Sequence, residues 1–302
     1  MRLLITGATG LVGSRLVEQC LANGHQVHYL STRSSQLDRF EKAQGFMWNP
    51  LEGTIDINCF EGVDTVINLA GSSISKPWTK KNRKLILESR IKSLETLRKG
   101  IQFLDNHSIK SFLTASAIGI YKEDYNNKLK EVNTEVADDF LGSVVHAWEQ
   151  EANLFTELGL DPIILRIGLV LSSQGGVLPS LLAPIKASVG VVFGNGDQWQ
   201  SWIHIDDLVQ IILFLSQKNE RGIFNAVAPN PVRQKELVRS IAKALNKKII
   251  LFRMPKLIVK LLFGERSGLL INSHCISASK IKKTDYQYSF ATLDQALDHI
   301  VS

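Results

Sequence analysis

The chain has 302 residues, 44% of them hydrophobic and 21% charged, with a formal net charge of +6. That length and composition suit one catalytic-size globular protein with a smaller lobe rather than a string of independent domains. The longest nearly uncharged apolar stretch, Leu208 to Leu215, falls far short of the ~20 residues needed to cross a bilayer, which excludes a transmembrane helix. Basic clusters at Lys80-Lys81-Asn82-Arg83-Lys84, Lys247-Lys248 and Lys280-Ile281-Lys282-Lys283 lack interleaved aromatics and read as solvated faces, not as a nucleic-acid surface.

The first element is the apolar run Leu3–Thr6, a strand that enters the glycine-rich loop Thr6-Gly7-Ala8-Thr9-Gly10-Leu11-Val12-Gly13. A helix over Ser14–Asn23 follows, with Leu16, Val17, Cys20 and Leu21 at helical spacing. A strand, a glycine loop and a helix in that order form a nucleotide phosphate site. Gly7 takes a turn that a Cβ would oppose, Gly10 lets the backbone approach a pyrophosphate, and Gly13 lets the helix pack closely. The free N–H groups of the helix start then face the anion.

Further elements are predicted at Gln26–Ser31, Thr65–Leu69, a helix from Asn82 to about Phe103, Ser111–Ser116, a helix from about Phe140 to Leu158, and Ile163–Ile167. Strands alternating with helices, and apolar on both alternations, imply an α/β fold with a doubly wound parallel sheet of Rossmann type. Glycines and prolines then break the chain into shorter pieces, with helices at Asp206–Ser216, Gln234–Leu245, Pro255–Phe263 and Thr292–Ile300. Residues 1–170 are therefore expected to form the nucleotide-binding domain, its sheet recruiting segments around 203–228. Residues 171–302 form a smaller substrate-side lobe with a C-terminal domain from about 250.

The end of the second strand should meet the adenosine ribose roughly 20 residues after the glycine loop. An NAD-binding chain usually carries a carboxylate there. This chain has Ser31-Thr32-Arg33-Ser34-Ser35, with no acid before Asp38. A guanidinium flanked by hydroxyls suits a 2′-phosphate, so the expected cofactor is NADP, with Arg33 the discriminator and Thr32 or Ser34 assisting.

The T-G-x-x-G-x-x-G loop, Asn68-Leu69-Ala70-Gly71, Ser116-Ala117-Ile118-Gly119-Ile120-Tyr121, Arg166-Ile167-Gly168-Leu169-Val170-Leu171 and Trp202-Ile203-His204-Ile205-Asp206-Asp207-Leu208 together resemble the extended and atypical short-chain dehydrogenase/reductase superfamily. Ser89-Arg90, Trp148-Glu149, Phe263-Gly264-Glu265-Arg266 and Tyr286-Gln287-Tyr288-Ser289-Phe290 bring the likeness closer to its epimerase-like, sugar-nucleotide epimerase-related subfamily, which has a C-terminal domain of unknown function. The resemblance implies NADP bound across the strand ends by Gly7, Thr9, Gly10, Leu11, Val12, Gly13, Thr32, Arg33, Leu69, Ala70, Gly71 and Arg90.

Ordinary members of the superfamily use Tyr-x-x-x-Lys, in which the lysine lowers the tyrosine pKa so that the phenol can exchange a proton during hydride transfer. No such spacing occurs here, and the best register puts Val145 and Glu149 at the two positions. Ser116 and Tyr121 are the candidate catalytic replacements, the alternative being a backbone-bonded hydroxyl and a packed aromatic ring. His204 is a further acid/base candidate, the favoured alternative being a segment that joins the lobes and caps the helix at Asp206. Lys76-Pro77-Trp78 is a candidate lid and Trp48 and Trp202 candidate walls for a ring-shaped substrate, with plain packing the favoured alternative for each. The seven histidines show no short spacing with cysteines or acids that suggests a metal site.

The start of the chain leaves no room for a signal sequence ahead of the first strand, and Cys20, Cys59 and Cys275 suggest reduced thiols, so the expected location is the cytoplasm. Two functions stay open: an NADP-dependent oxidoreductase or epimerase acting on a small polar, sugar-nucleotide-like molecule, and an NADP(H)-sensing regulatory protein, which the resemblance links to cell division through relatives so described. The expected partner is accordingly a small-molecule substrate or a regulatory protein, with no nucleic acid and no membrane; the oligomeric state stays open.

Overall fold

The structure, a computed structural model, describes residues 1–218 and 220–301. Its largest element is an eight-stranded sheet in the order Gly222–Ala226, Ile163–Ile167, β6 (Ser111–Ala117), β5 (Thr65–Asn68), β1 (Arg2–Thr6), β2 (Gln26–Ser31), β3 (Gln44–Asn49) and β4 (Thr54–Ile55). β1 pairs in parallel with β2 and β5, β2 with β3, and β5 with β6, while the short β4 runs antiparallel to β3. Every residue of β5 and nearly all of β1 and β6 are buried, as expected for strands covered on both faces.

The chain proceeds outward from β1 through β2, β3 and β4, then returns to β5 on the other side of β1. The order therefore reverses between β1 and β5, the place where ligands bind in open α/β sheets. α1 (Leu11–Ala22) follows β1, α2 (Lys80–Gln102) links β5 to β6, and α3 (Phe140–Asn153) precedes the strand Ile163–Ile167. Thr79 caps α2 by accepting from Asn82 N–H at 3.3 Å, and Asp139 caps α3 by accepting from Gly142 N–H at 2.8 Å. The helix expected to continue to Leu158 tightens into a 3-10 turn over Leu154–Leu158 and stops at Gly159, whose φ of +73° is left-handed.

The residues divide into two units in an interleaved way. The first comprises Met1–Ala117, Asp139–Arg166 and Val209–Phe224, and the second Ile118–Asp138, Ile167–Leu208 and Asn225–Ser302. The second unit holds small sheets, among them Leu169–Ser172 between Gly175–Gly176 and Trp202–His204, and the parallel pair Val189–Phe193 with Ile250–Met254. Its core gathers Leu171, Leu178, Ile185, Leu237, Ile241 and Leu297 around Trp202. Among the described residues no helix is long and apolar enough to cross a membrane.

Candidate functional site

The site begins with a polar knot at the end of β1. Buried Thr6 donates its hydroxyl to Asn68 Oδ1 at 2.6 Å and accepts from the N–H groups of Leu69 and Ala70, both at 3.1 Å. Asn68 in turn donates to Thr114 Oγ1 of β6 at 3.2 Å. These bonds fix the backbone at the ends of β1, β5 and β6 and satisfy side chains shut away from water. The threonine before the first glycine and the asparagine of Asn68-Leu69-Ala70-Gly71 thus act on each other.

The glycine loop lies against that knot. Gly7 has φ +65°, and a Cβ there would stand 2.6 Å from the Leu69 carbonyl oxygen, so both conformation and space require glycine. A Cβ on Gly13 would overlap the Gly7 carbonyl, so α1 packs on the loop itself. Gly10 is exposed and has only a 3.2 Å neighbour, again the Gly7 oxygen. It precedes α1, whose first turn carries no side-chain cap. Uncapped N–H groups at Leu11 and Val12, reached over a residue without a side chain, are the chemistry of an anion cradle.

Gly7, Thr9, Thr32, Arg33, Ala70 and Gly71 line one groove of about 550 Å³, together with Ser31, Trp48, Asn49, Ser72, Leu85 and Ser89. Ser31 stabilises the turn after β2, accepting from Arg33 N–H at 3.1 Å. Among the described residues the Arg33 guanidinium has no hydrogen-bond or ion-pair partner, and the residue is exposed. Arg90 lies beside Gly71 but is engaged: it donates to the carbonyls of Ser72 at 3.1 Å and Ile86 at 2.9 Å, with its guanidinium 5.0 Å from the Trp148 ring. Burial pushes its pKa down to about 10, which leaves it charged at neutral pH. The groove offers the shape, the glycine cradle and the cation that a dinucleotide phosphate needs.

A second constellation in the same unit had no signature in local spacing. Glu149 of α3 receives Arg166 Nε on Oε1 and Arg166 Nη2 on Oε2, both at 2.8 Å, and the Ser116 hydroxyl donates to Oε1 at 2.6 Å. All three side chains are buried. The clue in the sequence was Arg166 inside the apolar strand Ile163-Ile164-Leu165-Arg166-Ile167, because a guanidinium in a central strand requires a buried acid. Glu149 follows Val145 by one helical turn on the buried face of α3, so the position expected to carry the lysine is occupied by half of an ion pair.

The remaining candidates lie in the second unit or near the groove with other partners. Tyr121 is buried and donates its phenol to Asn225 Oδ1 at 2.8 Å. Trp202, a candidate substrate wall for which plain packing was the favoured alternative, is a fully buried core residue whose indole donates to the Asn230 carbonyl at 3.0 Å. Trp48 does line the groove. Trp78 of the expected lid donates to the Ile74 carbonyl at 2.9 Å and packs edge-on to Phe140 at 5.1 Å.

The fold also joins histidines far apart in sequence. His204 Nδ1 accepts from Asp206 N–H at 3.1 Å, which leaves the proton on Nε2, 3.2 Å from His299 Nδ1. With Asp206, two residues from His204 in sequence, these form a group whose ligand-type atoms lie within 4.8 Å of one another, and only the fold brings His299 to it; the hydrogen bonds already account for both His204 nitrogens. Asp207 accepts from Tyr286 Oη and from the N–H groups of Ser289 and Phe290, all at 2.9 Å, and so pins the Tyr286–Phe290 segment. Cys20, Cys59 and Cys275 are buried free thiols, and burial pushes Cys20 up to about 12, far from a reactive thiolate.

Comparison with known proteins gives the family and the fold. Residues 3–226 match the NAD dependent epimerase/dehydratase family, and residues 254–300 match a domain of unknown function, DUF1731. An "Epimerase family protein" of Staphylococcus aureus (strain MRSA252) is 34% identical over 300 residues, covering 99% of this chain and 98% of that one. The crystal structure of human epimerase family protein SDR39U1 with NADPH superposes with a TM-score of 0.86 at 27% identity, covering 99% of each chain. UDP-glucose 4-epimerase of Thermus thermophilus in complex with NAD shares the fold, with a TM-score of 0.78 at 18% identity and coverage of 100% of this chain and 98% of that one. With an epimerase-like, nicotinamide-dinucleotide-binding fold and a family match over most of its length, the chain belongs to the NAD dependent epimerase/dehydratase family.

Proposed function

We propose that the chain binds NADP(H) in preference to NAD(H) and acts as an oxidoreductase or epimerase on a small polar, sugar-nucleotide-like molecule, without a Tyr-Lys pair. The observation that carries the cofactor reading is Arg33: an exposed guanidinium with no partner among the described residues, lining the groove after β2, where no carboxylate stands. The relative solved with NADPH supports the same reading. Arg33 with Thr32 or Ser34 would hold the 2′-phosphate, and the backbone of Gly7 and Gly10–Val12 the pyrophosphate. Thr9, Leu69, Ala70 and Gly71 would wall the groove, and Arg90 would add positive charge beside it. The bound nicotinamide supplies or accepts a hydride.

Proton handling falls to Ser116. Its hydroxyl proton is already directed at Glu149, so its oxygen is free to accept. A substrate hydroxyl could pass its proton to Ser116 Oγ as Ser116 passes its own to Glu149 Oε1, while Arg166 balances the charge. Three buried cysteines, none in a disulfide, support the expected cytoplasmic location.

A second reading, an NADP(H)-sensing protein that reports to a regulatory partner, is favoured by Val145 and Glu149 in the dyad register and by the engaged phenol of Tyr121. The test is to confirm NADPH binding by fluorescence and then screen carbonyl and nucleotide-sugar compounds for cofactor oxidation. Turnover that disappears in Ser116→Ala while NADPH affinity is retained supports the enzyme. Tight binding with no turnover across the screen supports the sensor.

A further inference from the structure

The C-terminal segment carries an apolar face that the fold leaves uncovered. The helix Lys256–Phe263 buries only Val259 completely, on its inner side. Leu257, Leu261 and Leu262 are 79%, 84% and 61% exposed, with Ile258 beside them. These positions, spaced by one and four residues, form a single stripe. Just before the helix, the strand Ile250–Met254 pairs with Val189–Phe193, has no second partner strand among the described residues, and exposes Ile250 and Phe252. Large aliphatic side chains gathered this way on a folded surface mark an interaction site.

Charge selects the occupant. Residues 247–266 contain Lys247, Lys248, Arg253, Lys256, Lys260 and Arg266 against the single acid Glu265, a net +5 beside +6 for the whole chain. Lys247, Lys248, Arg253, Lys256 and Lys260 are exposed. Lys256 reaches the Tyr125 hydroxyl at 3.1 Å. An apolar stripe bordered by cations matches an anionic lipid surface, where alkyl groups enter the interface and ammonium groups meet phosphates. A second copy docking through the same face would bring like charges together, because these five exposed cations outnumber the acids beside them, Glu123 near Lys256 and Asp197 near Arg253.

We propose that this face rests on an anionic phospholipid membrane, the helix lying in the interfacial plane. The expectation of no membrane rests on the lack of a spanning segment, which an interfacial helix does not need. The test is flotation of the full chain with vesicles of phosphatidylcholine alone and of phosphatidylcholine with phosphatidylglycerol, for wild type, Leu257→Ser with Leu261→Ser, and Arg253→Glu with Lys260→Glu. NADPH binding and circular dichroism check that each variant is folded, and sedimentation velocity reports self-association.

Flotation with anionic vesicles alone, weakened by salt and reduced roughly tenfold or more by either pair of substitutions, is the expected result. No flotation overturns the proposal. So does flotation that the two serines leave unchanged, which would mean adsorption by charge only. A wild-type dimer that the serines convert to monomer, without lipid binding, assigns the face to a second copy instead.

Discussion

Removing the charge of Glu149 should destabilise the first unit far more than an ordinary surface change, because three hydrogen bonds converge on one buried carboxylate. In Glu149→Gln the amide keeps much of the shape but leaves the Arg166 guanidinium charged, buried and without its counter-ion. Breaking such a pair from one side costs about 3–5 kcal/mol, which corresponds to a drop in the unfolding midpoint of roughly 6 °C or more. Arg166→Met should cost a similar amount for the mirror-image reason. Combining Glu149→Leu with Arg166→Met removes both charges, and the residual loss should shrink to about 1–2 kcal/mol, mainly the Ser116 hydroxyl that loses its acceptor. Urea denaturation of the single variants and this double variant at neutral pH measures the difference. Single variants within about 0.5 kcal/mol of wild type, or a double variant whose loss equals the sum of its singles, would refute the reasoning.

Gly13→Ala should unfold the loop, because its Cβ would overlap the Gly7 carbonyl, whereas Gly10→Ala should fold normally yet lose NADPH affinity; comparing melting curves with binding titrations separates the two, and equal behaviour in both assays would contradict the assigned roles. Thiol-reagent labelling of the native chain should be slow at all three cysteines and complete only on unfolding, and fast labelling of one equivalent would contradict their burial. Stability should also fall in alkali. Burial raises Cys20 to about 12 and, with Asp207, raises Tyr286, so these groups stay neutral in the fold while the unfolded chain ionises. Their contribution is complete below the ordinary thiol pKa of about 8.5 and is lost progressively as pH rises above it. A melting temperature unchanged between neutral pH and about pH 10 would contradict that sign.

The nucleotide-binding half was readable because its signals are local. The strand, glycine loop and helix of residues 2–22 follow from periodicity and from residues that need a positive φ or a close approach. β3 carries a weaker local signal, since its Gly45 is unfavourable inside a strand and is glycine to clear the backbone of Leu37. The Ser116–Glu149–Arg166 cluster, the Thr6–Asn68–Thr114 knot and the His204–His299 contact join residues that only the fold brings together. Trp202 stands beside a motif, where a substrate wall and plain packing both fit the sequence with packing the favoured reading, and long-range contacts make it core. The stripe of Leu257, Leu261 and Leu262 belongs to a helix whose periodicity was legible, though periodicity does not say whether an apolar face finds a partner within the same chain.

The central claim is that Arg33 makes the groove selective for the 2′-phosphorylated dinucleotide. A charge-assisted contact of this kind contributes about 1.5–3 kcal/mol, or roughly a 10- to 100-fold preference. Titrating NADPH and NADH against wild type and Arg33→Glu, under identical salt, tests it directly. The account predicts that wild type binds NADPH at least about tenfold more tightly and that Arg33→Glu abolishes or reverses the preference while the protein stays folded. Equal affinities for the two dinucleotides in wild type, or a preference that survives Arg33→Glu unchanged, would contradict it.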